Sequence, residues 1–151
     1  MKLLLNLMKL FNILGNKDKI IIKSSTKNLH LVRDFVEQKA SGMNIEQKVI
    51  NQIIISVDEA CTNVIKHTHK FNENKEIEIE SEYRDNQFIV TIRYKGEAFD
   101  PTKKETPDMK EYFTKFEVGG LGIPLMKKSM DRIEFKHTKP DINSLTLIKV
   151  I

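Results

Sequence analysis

The spacing of the apolar residues changes from a helical to an alternating period near residue 75, and this change limits the possible folds more than any other feature. Between residues 44 and 69, apolar residues recur every three or four positions, which predicts one long helix with a broad buried face. From residue 75 onward apolar and polar residues alternate, as Ile77 and Ile79 do with glutamates, which predicts strands. The chain is therefore expected to combine a long buried helix with an antiparallel hairpin.

Shorter signals predict the remaining elements. Ser25 or Thr26 can cap a helix that ends at Ser41-Gly42, and a turn from Arg84 to Gln87 separates the two strands of the hairpin. The other predicted elements are strands at Lys19–Lys23 and Phe88–Ile92, a helix from Ile123 to Met130, and closing strands at Arg132–His137 and Ser144–Ile151. No repeat or linker interrupts the order β-α-α-β-β-loop-α-β-β, which indicates one domain.

The composition disfavours several classes of protein. The 151 residues include 25 Lys and Arg against 21 Asp and Glu, a net charge of +4, and the lysines are interleaved with glutamates. Because no basic stripe with interspersed aromatics exists, a direct nucleic-acid partner is not expected. The single cysteine, Cys61, cannot form an internal disulfide or a cysteine-based zinc site, and its position on the apolar stripe predicts a core thiol.

Residues 1–15 are predicted to be an N-terminal amphipathic extension, and residues 16–151 the domain itself. Helical spacing of four leucines predicts a short helix that could dock on its own domain, a partner or a membrane surface. Polar residues interrupt the segment and no small-residue cleavage site follows it, so it is not a typical signal peptide, and an upstream start codon is a further explanation. No run of about 18 apolar residues exists, so no stable membrane insertion is predicted.

The long helix carries a second, polar stripe. Glu59 and Asn63 lie one turn apart on it, so both can face the same bound group. An amide oxygen is a hard, neutral ligand for Mg²⁺, and a carboxylate can accept a proton from a nucleophile. A solvated helix face is the alternative explanation of this stripe.

Two glycine-containing segments are further candidates for a binding site. Gly119, Gly120 and Gly122 precede a predicted helix, where backbone N–H groups and the helix N-terminus favour an anion. Gly96 ends a predicted strand and allows a close backbone approach. Either segment is also compatible with an ordinary turn. Residues 97–118 between them contain two prolines and no clear period, which predicts a long mobile loop.

The order of these motifs resembles the histidine-kinase-like ATPase superfamily (GHKL, Bergerat fold), and in particular its small serine-protein kinases that act as anti-sigma factors. The segment from Asp58 to His67, then Gly96 with Phe99-Asp100-Pro101, then the glycines from Gly119 carry the resemblance, which spans residues 17 to 151. It implies an α/β (α+β) two-layer sandwich, with a mixed, mostly antiparallel sheet and helices on one face.

The resemblance also implies roles for individual residues. Glu59 would be the general base that activates a protein serine, and Asn63 would hold Mg²⁺ against the ATP phosphates. Gly96 would lie under the adenine, residues 97–118 would form the ATP lid, and the phosphates would be cradled by Gly119, Gly120 and Gly122. His67 would have a supporting role.

One position departs from the family pattern. The family places an aspartate two residues before the glycine of its second motif, where the carboxylate accepts a hydrogen bond from the adenine amino group. Here that residue is Tyr94. A phenol is not ionised near neutral pH, and a hydrogen bond to a charged group is worth roughly 1.5–3 kcal/mol. Tyr94 therefore predicts weakened adenine binding.

The function implied by the resemblance is that of a cytoplasmic regulator using ATP or ADP and Mg²⁺. Such a protein binds a sigma factor in one state, and in the other binds, and phosphorylates on serine, a STAS-domain antagonist of the anti-sigma factor. The family allows a homodimer. Two alternatives stay open at this point: a non-catalytic interaction module with a degenerate nucleotide site, and a peripheral membrane sensor anchored by residues 3–14.

Overall fold

The computed structural model describes residues 1–4, 6–7, 17–103 and 122–151. The elements along the chain are β1 (Lys17–Lys23), a 3-10 turn (Thr26–Asn28), α1 (Leu29–Ser41), α2 (Gln47–Asn63), a π-helical turn (Val64–Thr68), β2 (Glu76–Arg84), β3 (Gln87–Lys95), a second 3-10 turn (Pro101–Lys103), α3 (Gly122–Ser129), β4 (Arg132–Thr138) and β5 (Ile142–Val150). The predicted order of elements is confirmed.

The five described strands form one sheet in the order β1-β2-β3-β5-β4, and every neighbouring pair is antiparallel. The two-layer fold class is confirmed, although the mixed sheet that the family resemblance implied has no parallel pair among these strands. Asp85 and Asn86 join β2 to β3 with φ of 52° and 58°. These are residue types that tolerate the left-handed conformation needed in a tight hairpin turn.

The two faces of the sheet differ because the strands alternate. Residues that pair directly across antiparallel strands share a face, so Ile79, Ile92 and Leu145 form one row, and all three are buried. On the opposite face the β2 glutamates meet Arg93, whose guanidinium nitrogens lie 2.9 Å from Glu78 and 3.3 Å from Glu80. One face therefore carries the core and the other is charged.

Helix α2 supplies the opposite wall of the core. Ile53, Val57 and Cys61 on its apolar stripe are fully buried, as the periodicity predicted. Burial, and secondarily the nearby Asp58 carboxylate, raises the pKa of the Cys61 thiol, so it remains protonated. The prediction of a core thiol is confirmed.

Helix α2 does not continue as a regular helix to residue 69. The His69 N–H donates to the carbonyl of Val64 at 2.8 Å, five residues back, so the last turn is widened into a π-helix. The widened turn brings Thr68 against the end of β3, where a Cβ added to Gly96 would lie 2.4 Å from Thr68 Cγ2. The close approach predicted for Gly96 is thus made by the protein's own side chains, those of Thr68 and His69.

The N-terminal extension is described only at residues 1–4 and 6–7. Residues 2–4 and 6–7 are helical, and the leucines among them, Leu3, Leu4 and Leu7, are exposed. Leu10, Leu14 and the predicted boundary at residue 15 lie outside the described residues. In the ranges that the structure covers, no helix is long and apolar enough to cross a membrane.

We expect Gly96→Ala to destabilise the fold and Gly42→Ala to leave it intact. Gly96 has φ of 146° and no room for a Cβ, so backbone strain alone should cost about 1–3 kcal/mol. At Gly42 the nearest atom to an added Cβ is 3.7 Å away and φ is −70°, so alanine should raise stability by about 0.4–1 kcal/mol. Urea unfolding of both variants measures this difference, and equal stabilities would contradict it.

Candidate functional site

A cleft opens where the end of α2 faces the segment that follows β3. Its volume is about 490 Å³, and it is lined by Asn63, His67, Phe99, Asp100, Lys103 and Ile123. Behind it lies a much smaller cavity of about 10 Å³, whose walls include Asn63, Thr68, Tyr94, Phe99, Pro101 and Met126. The cleft has both cationic and anionic side chains, whereas the inner cavity is mainly apolar.

Asn63 is common to the cleft and the inner cavity. Its amide nitrogen is buried and has no hydrogen-bond partner, and within the described ranges it is the one buried side-chain nitrogen or oxygen in this condition. A buried donor without an acceptor costs roughly 1–3 kcal/mol, so the fold retains an unfavourable feature here. A ligand that brings an acceptor into the cleft would remove this cost.

Glu59 lies one turn before Asn63 on α2 and is half-buried. The neighbouring Asp58 is already engaged in an ion pair between α1 and α2, because its carboxylate accepts a hydrogen bond from the Arg33 guanidinium of α1 at 2.6 Å. Within the described ranges, neither a hydrogen bond nor an ion pair engages Glu59. Of the two adjacent acids, Glu59 is therefore the one available for chemistry, although it does not line either cavity.

Tyr94 projects from β3 into the core and is only 6% exposed. Burial, with smaller contributions from Asp100 and Cys61, raises the pKa of its phenol to about 12. The hydroxyl is therefore neutral near pH 7, as expected from the sequence. Since a cavity of about 10 Å³ holds at most one water, no purine ring fits on the side of Tyr94 that faces the inner cavity unless its walls move. A separate pocket of about 460 Å³, which His69 and Lys95 also line, touches Tyr94 at the end of β3.

The segment after β3 closes the site from one side. The Asp100 carboxylate accepts hydrogen bonds from the Thr102 backbone N–H at 2.8 Å and from its hydroxyl at 2.6 Å, which fixes the following 3-10 turn. Pro101 is buried, and the Phe99 ring lies 6.3 Å from that of His67. Of the predicted lid, residues 104–118 lie outside the described residues.

The glycine motif is described only at its end. Gly119 and Gly120 lie outside the described residues, while Gly122 begins α3, and the next residue, Ile123, lines the cleft. The N-terminus of α3 thus lies at the cleft, where the helix dipole favours an anion.

The sequence did not indicate the role of His69. Its ring is buried, with Nε2 2.8 Å from the carbonyl oxygen of Lys95 and Nδ1 2.8 Å from the hydroxyl of Ser24. A carbonyl only accepts, so Nε2 carries the proton, and in the neutral ring Nδ1 accepts from Ser24. Burial lowers the pKa of His69, with a smaller contribution from Lys75, while the bond to Lys95 opposes the shift. A histidine following a helical run gives no sequence signal for these contacts.

Comparison with known proteins identifies relatives of this chain. It is 29% identical to serine-protein kinase RsbW of Bacillus subtilis (strain 168) over 130 residues, covering 82% of this chain and 81% of that protein. It is 31% identical to serine-protein kinase RsbW of Listeria monocytogenes serovar 1/2a over 102 residues, 65% of each.

The fold also matches a solved structure, that of the RsbU and RsbW domains of Rv1364c from Mycobacterium tuberculosis. The TM-score is 0.62 at 11% identity, and the match covers 89% of this chain and 32% of that one. The sequence profile of the histidine kinase-like ATPase domain matches residues 22–149. The chain therefore belongs to the histidine kinase-like ATPase domain family.

Proposed function

We propose that this protein is an ATP-dependent serine-protein kinase of the anti-sigma-factor type. The observation that carries the proposal is the buried, unpartnered amide of Asn63, which lies between the cleft and the inner cavity, one turn after Glu59. Membership of an ATPase family whose relatives include serine-protein kinases supports the same activity. The proposed partners are a sigma factor and a STAS-domain antagonist of the anti-sigma factor, and the proposed location is the cytoplasm.

The phosphate end of the site fits a magnesium nucleotide. The Asn63 amide offers an oxygen for Mg²⁺ and a nitrogen that lacks an acceptor, while Lys103 and the N-terminus of α3 favour anionic phosphates. Gly119, Gly120 and Gly122 are proposed to add backbone donors. ATP would supply the phosphoryl group: the bond between the γ-phosphorus and the bridging oxygen would break, ADP would leave, and the phosphoryl group would pass to the serine oxygen.

The proton of the serine hydroxyl must leave as the new oxygen–phosphorus bond forms. Glu59 is proposed to accept it, because its carboxylate shares the helix face of Asn63 and no described group competes for it. A carboxylate in this position acts as a general base only if the serine comes within hydrogen-bond reach, so docking of the partner protein completes the site.

The base end fits less well, since Tyr94 replaces a carboxylate and the inner cavity is nearly filled. Purine binding there requires Phe99 and Pro101 to move outward, which would open the inner cavity into the cleft. This poor fit favours weak nucleotide binding. It is also the observation behind the alternative, a non-catalytic interaction module.

Asn63→Ala should abolish Mg²⁺-dependent ATP binding and leave the fold intact, because the amide supplies the metal ligand and its nitrogen is unpartnered in the unliganded protein. Calorimetric titration with Mg-ATP measures the loss. Asn51→Ala is the matched control, since Asn51 is an exposed asparagine three turns earlier on α2. Unchanged affinity in a folded Asn63 variant would remove the assignment, and no heat in the wild type would favour the interaction module.

Glu59→Gln should retain Mg-ATP binding and lose phosphotransfer by about a hundredfold or more, because an amide keeps the shape but cannot accept a proton. Radiolabel transfer to a STAS-domain partner measures the rate. Glu46→Gln, at an exposed glutamate directly before the same helix, should transfer at the wild-type rate. Equal rates in wild type and Glu59→Gln would show that Glu59 is not the base.

Tyr94→Asp should tighten ATP binding by roughly ten- to a hundredfold, through a charged hydrogen bond to the adenine amino group. The smaller side chain also enlarges the inner cavity. GTP should gain less, because guanine presents a carbonyl where adenine presents an amino group. Tyr94→Phe keeps the bulk and is the control. Weaker ATP binding by Tyr94→Asp would mean that the tyrosine already contacts the base.

A further inference from the structure

We propose that His69 and Asn143 are positioning residues that fix the Lys95–Gly96 backbone as one wall of the base end of the site. The inference rests on the proposed nucleotide site and adds to it two residues that do not themselves line the inner cavity. It is carried by hydrogen bonds from buried side chains to two consecutive carbonyl groups at the end of β3.

The first of these bonds comes from His69. Nε2–H of the ring donates to the Lys95 carbonyl, and the ring is oriented from its other side by the buried hydroxyl of Ser24. Ser24 directly follows β1, and its own N–H donates to the Lys75 carbonyl at 2.9 Å. The two hydrogen bonds of the His69 ring therefore join the end of the π-helical turn to the ends of β1 and β3.

The second bond comes from Asn143, which is completely buried on β5 and pairs directly with Tyr94. Its amide nitrogen lies 3.0 Å from the Gly96 carbonyl oxygen and 3.5 Å from that of Asp141. Since both are acceptors, the nitrogen must face them, and the amide oxygen faces His137 Nδ1 at 2.8 Å. His137 therefore donates through Nδ1–H and holds the amide in the orientation that reaches Gly96.

The two carbonyls lie where the sheet ladder ends. Lys95 opposite Ile142 is the last paired position of β3 and β5, and beyond it the Gly96 N–H still donates to Asp141 at 2.8 Å. Backbone groups beyond a ladder are free to turn toward water or a loop. Here side chains from two other elements hold them, so the peptide plane after Lys95 has one orientation.

This peptide lies next to the inner cavity. Gly96 contacts Thr68, which lines that cavity together with Tyr94, and the His69 ring packs edge-on against Tyr94 with centroids 6.0 Å apart. A shift of Lys95–Gly96 would therefore move the walls of the base end, whereas Asn63 and the N-terminus of α3 lie on other elements. Loss of the two bonds should weaken recognition of the base and spare that of the phosphates.

The test compares two probes on the full chain, Mg-ATP and Mg-tripolyphosphate, which has phosphates and no base. The variants are Asn143→Leu, similar in shape to asparagine but without donors, and His69→Phe. His137→Ala is a further variant at a half-buried position, chosen because it disorients Asn143 without altering the core. Lys136→Ala, exposed on the same edge strand, is the control.

We expect Asn143→Leu and His69→Phe to weaken Mg-ATP binding by roughly tenfold or more, and His137→Ala by a smaller factor. Tripolyphosphate affinity should stay within about twofold of wild type at a temperature below each variant's unfolding transition. An equal loss for both probes, or no loss for Mg-ATP in any folded variant, would overturn the positioning role. Failure of the wild type to bind either probe would instead overturn the proposed function, on which this inference rests.

Discussion

The packing of α2 against the sheet is the constraint on which the rest of the structure depends. Ile53, Val57 and Cys61 are completely buried, and each large apolar side chain contributes roughly 1.5–3 kcal/mol by leaving water. Rotation of the helix about its axis would expose these residues, so the core fixes the direction of the polar stripe as well. Asn63 and Glu59 are therefore positioned by residues that take no part in chemistry.

Three local features of the candidate site are typical of a binding surface. The Asn63 amide is left without an acceptor, Gly96 adopts a backbone conformation that side chains disfavour, and the turn after α2 is widened. The unpartnered amide is unfavourable as it stands, the Gly96 conformation would be unfavourable for any residue with a side chain, and π-helical turns are rare. All three lie within the small region between the end of α2 and the end of β3, whereas the remainder of the sheet follows regular alternation.

In the proposed nucleotide site, Tyr94 makes the base end different from the phosphate end. A neutral phenol of raised pKa stands where the family resemblance implied a carboxylate, and the cavity on its core side is nearly filled. The phosphate end retains an amide, a lysine and a helix N-terminus at an open cleft. In the proposed nucleotide site, the phosphate end is therefore open and polar, whereas the base end is closed and largely apolar.

Much of this arrangement could be predicted from local patterns. The helical period fixes the spacing of Glu59 and Asn63, and the alternation in β3 places Tyr94 on the core face, because both depend on backbone geometry within one element. The hairpin, the order of strands along the chain and the buried Cys61 follow from the same periodicities. The motifs and their order were sufficient to indicate the family.

Only the tertiary structure decided how the ends of these elements meet. Ser24, His69 and Lys95 are separated by tens of residues, and so are Gly96 and Asn143, so no local pattern joins them. The π-helical turn that brings Thr68 to Gly96 has no period of its own in the sequence. The near absence of space on the core side of Tyr94 likewise results from side chains of several elements, because packing is a property of the assembled core and not of any segment.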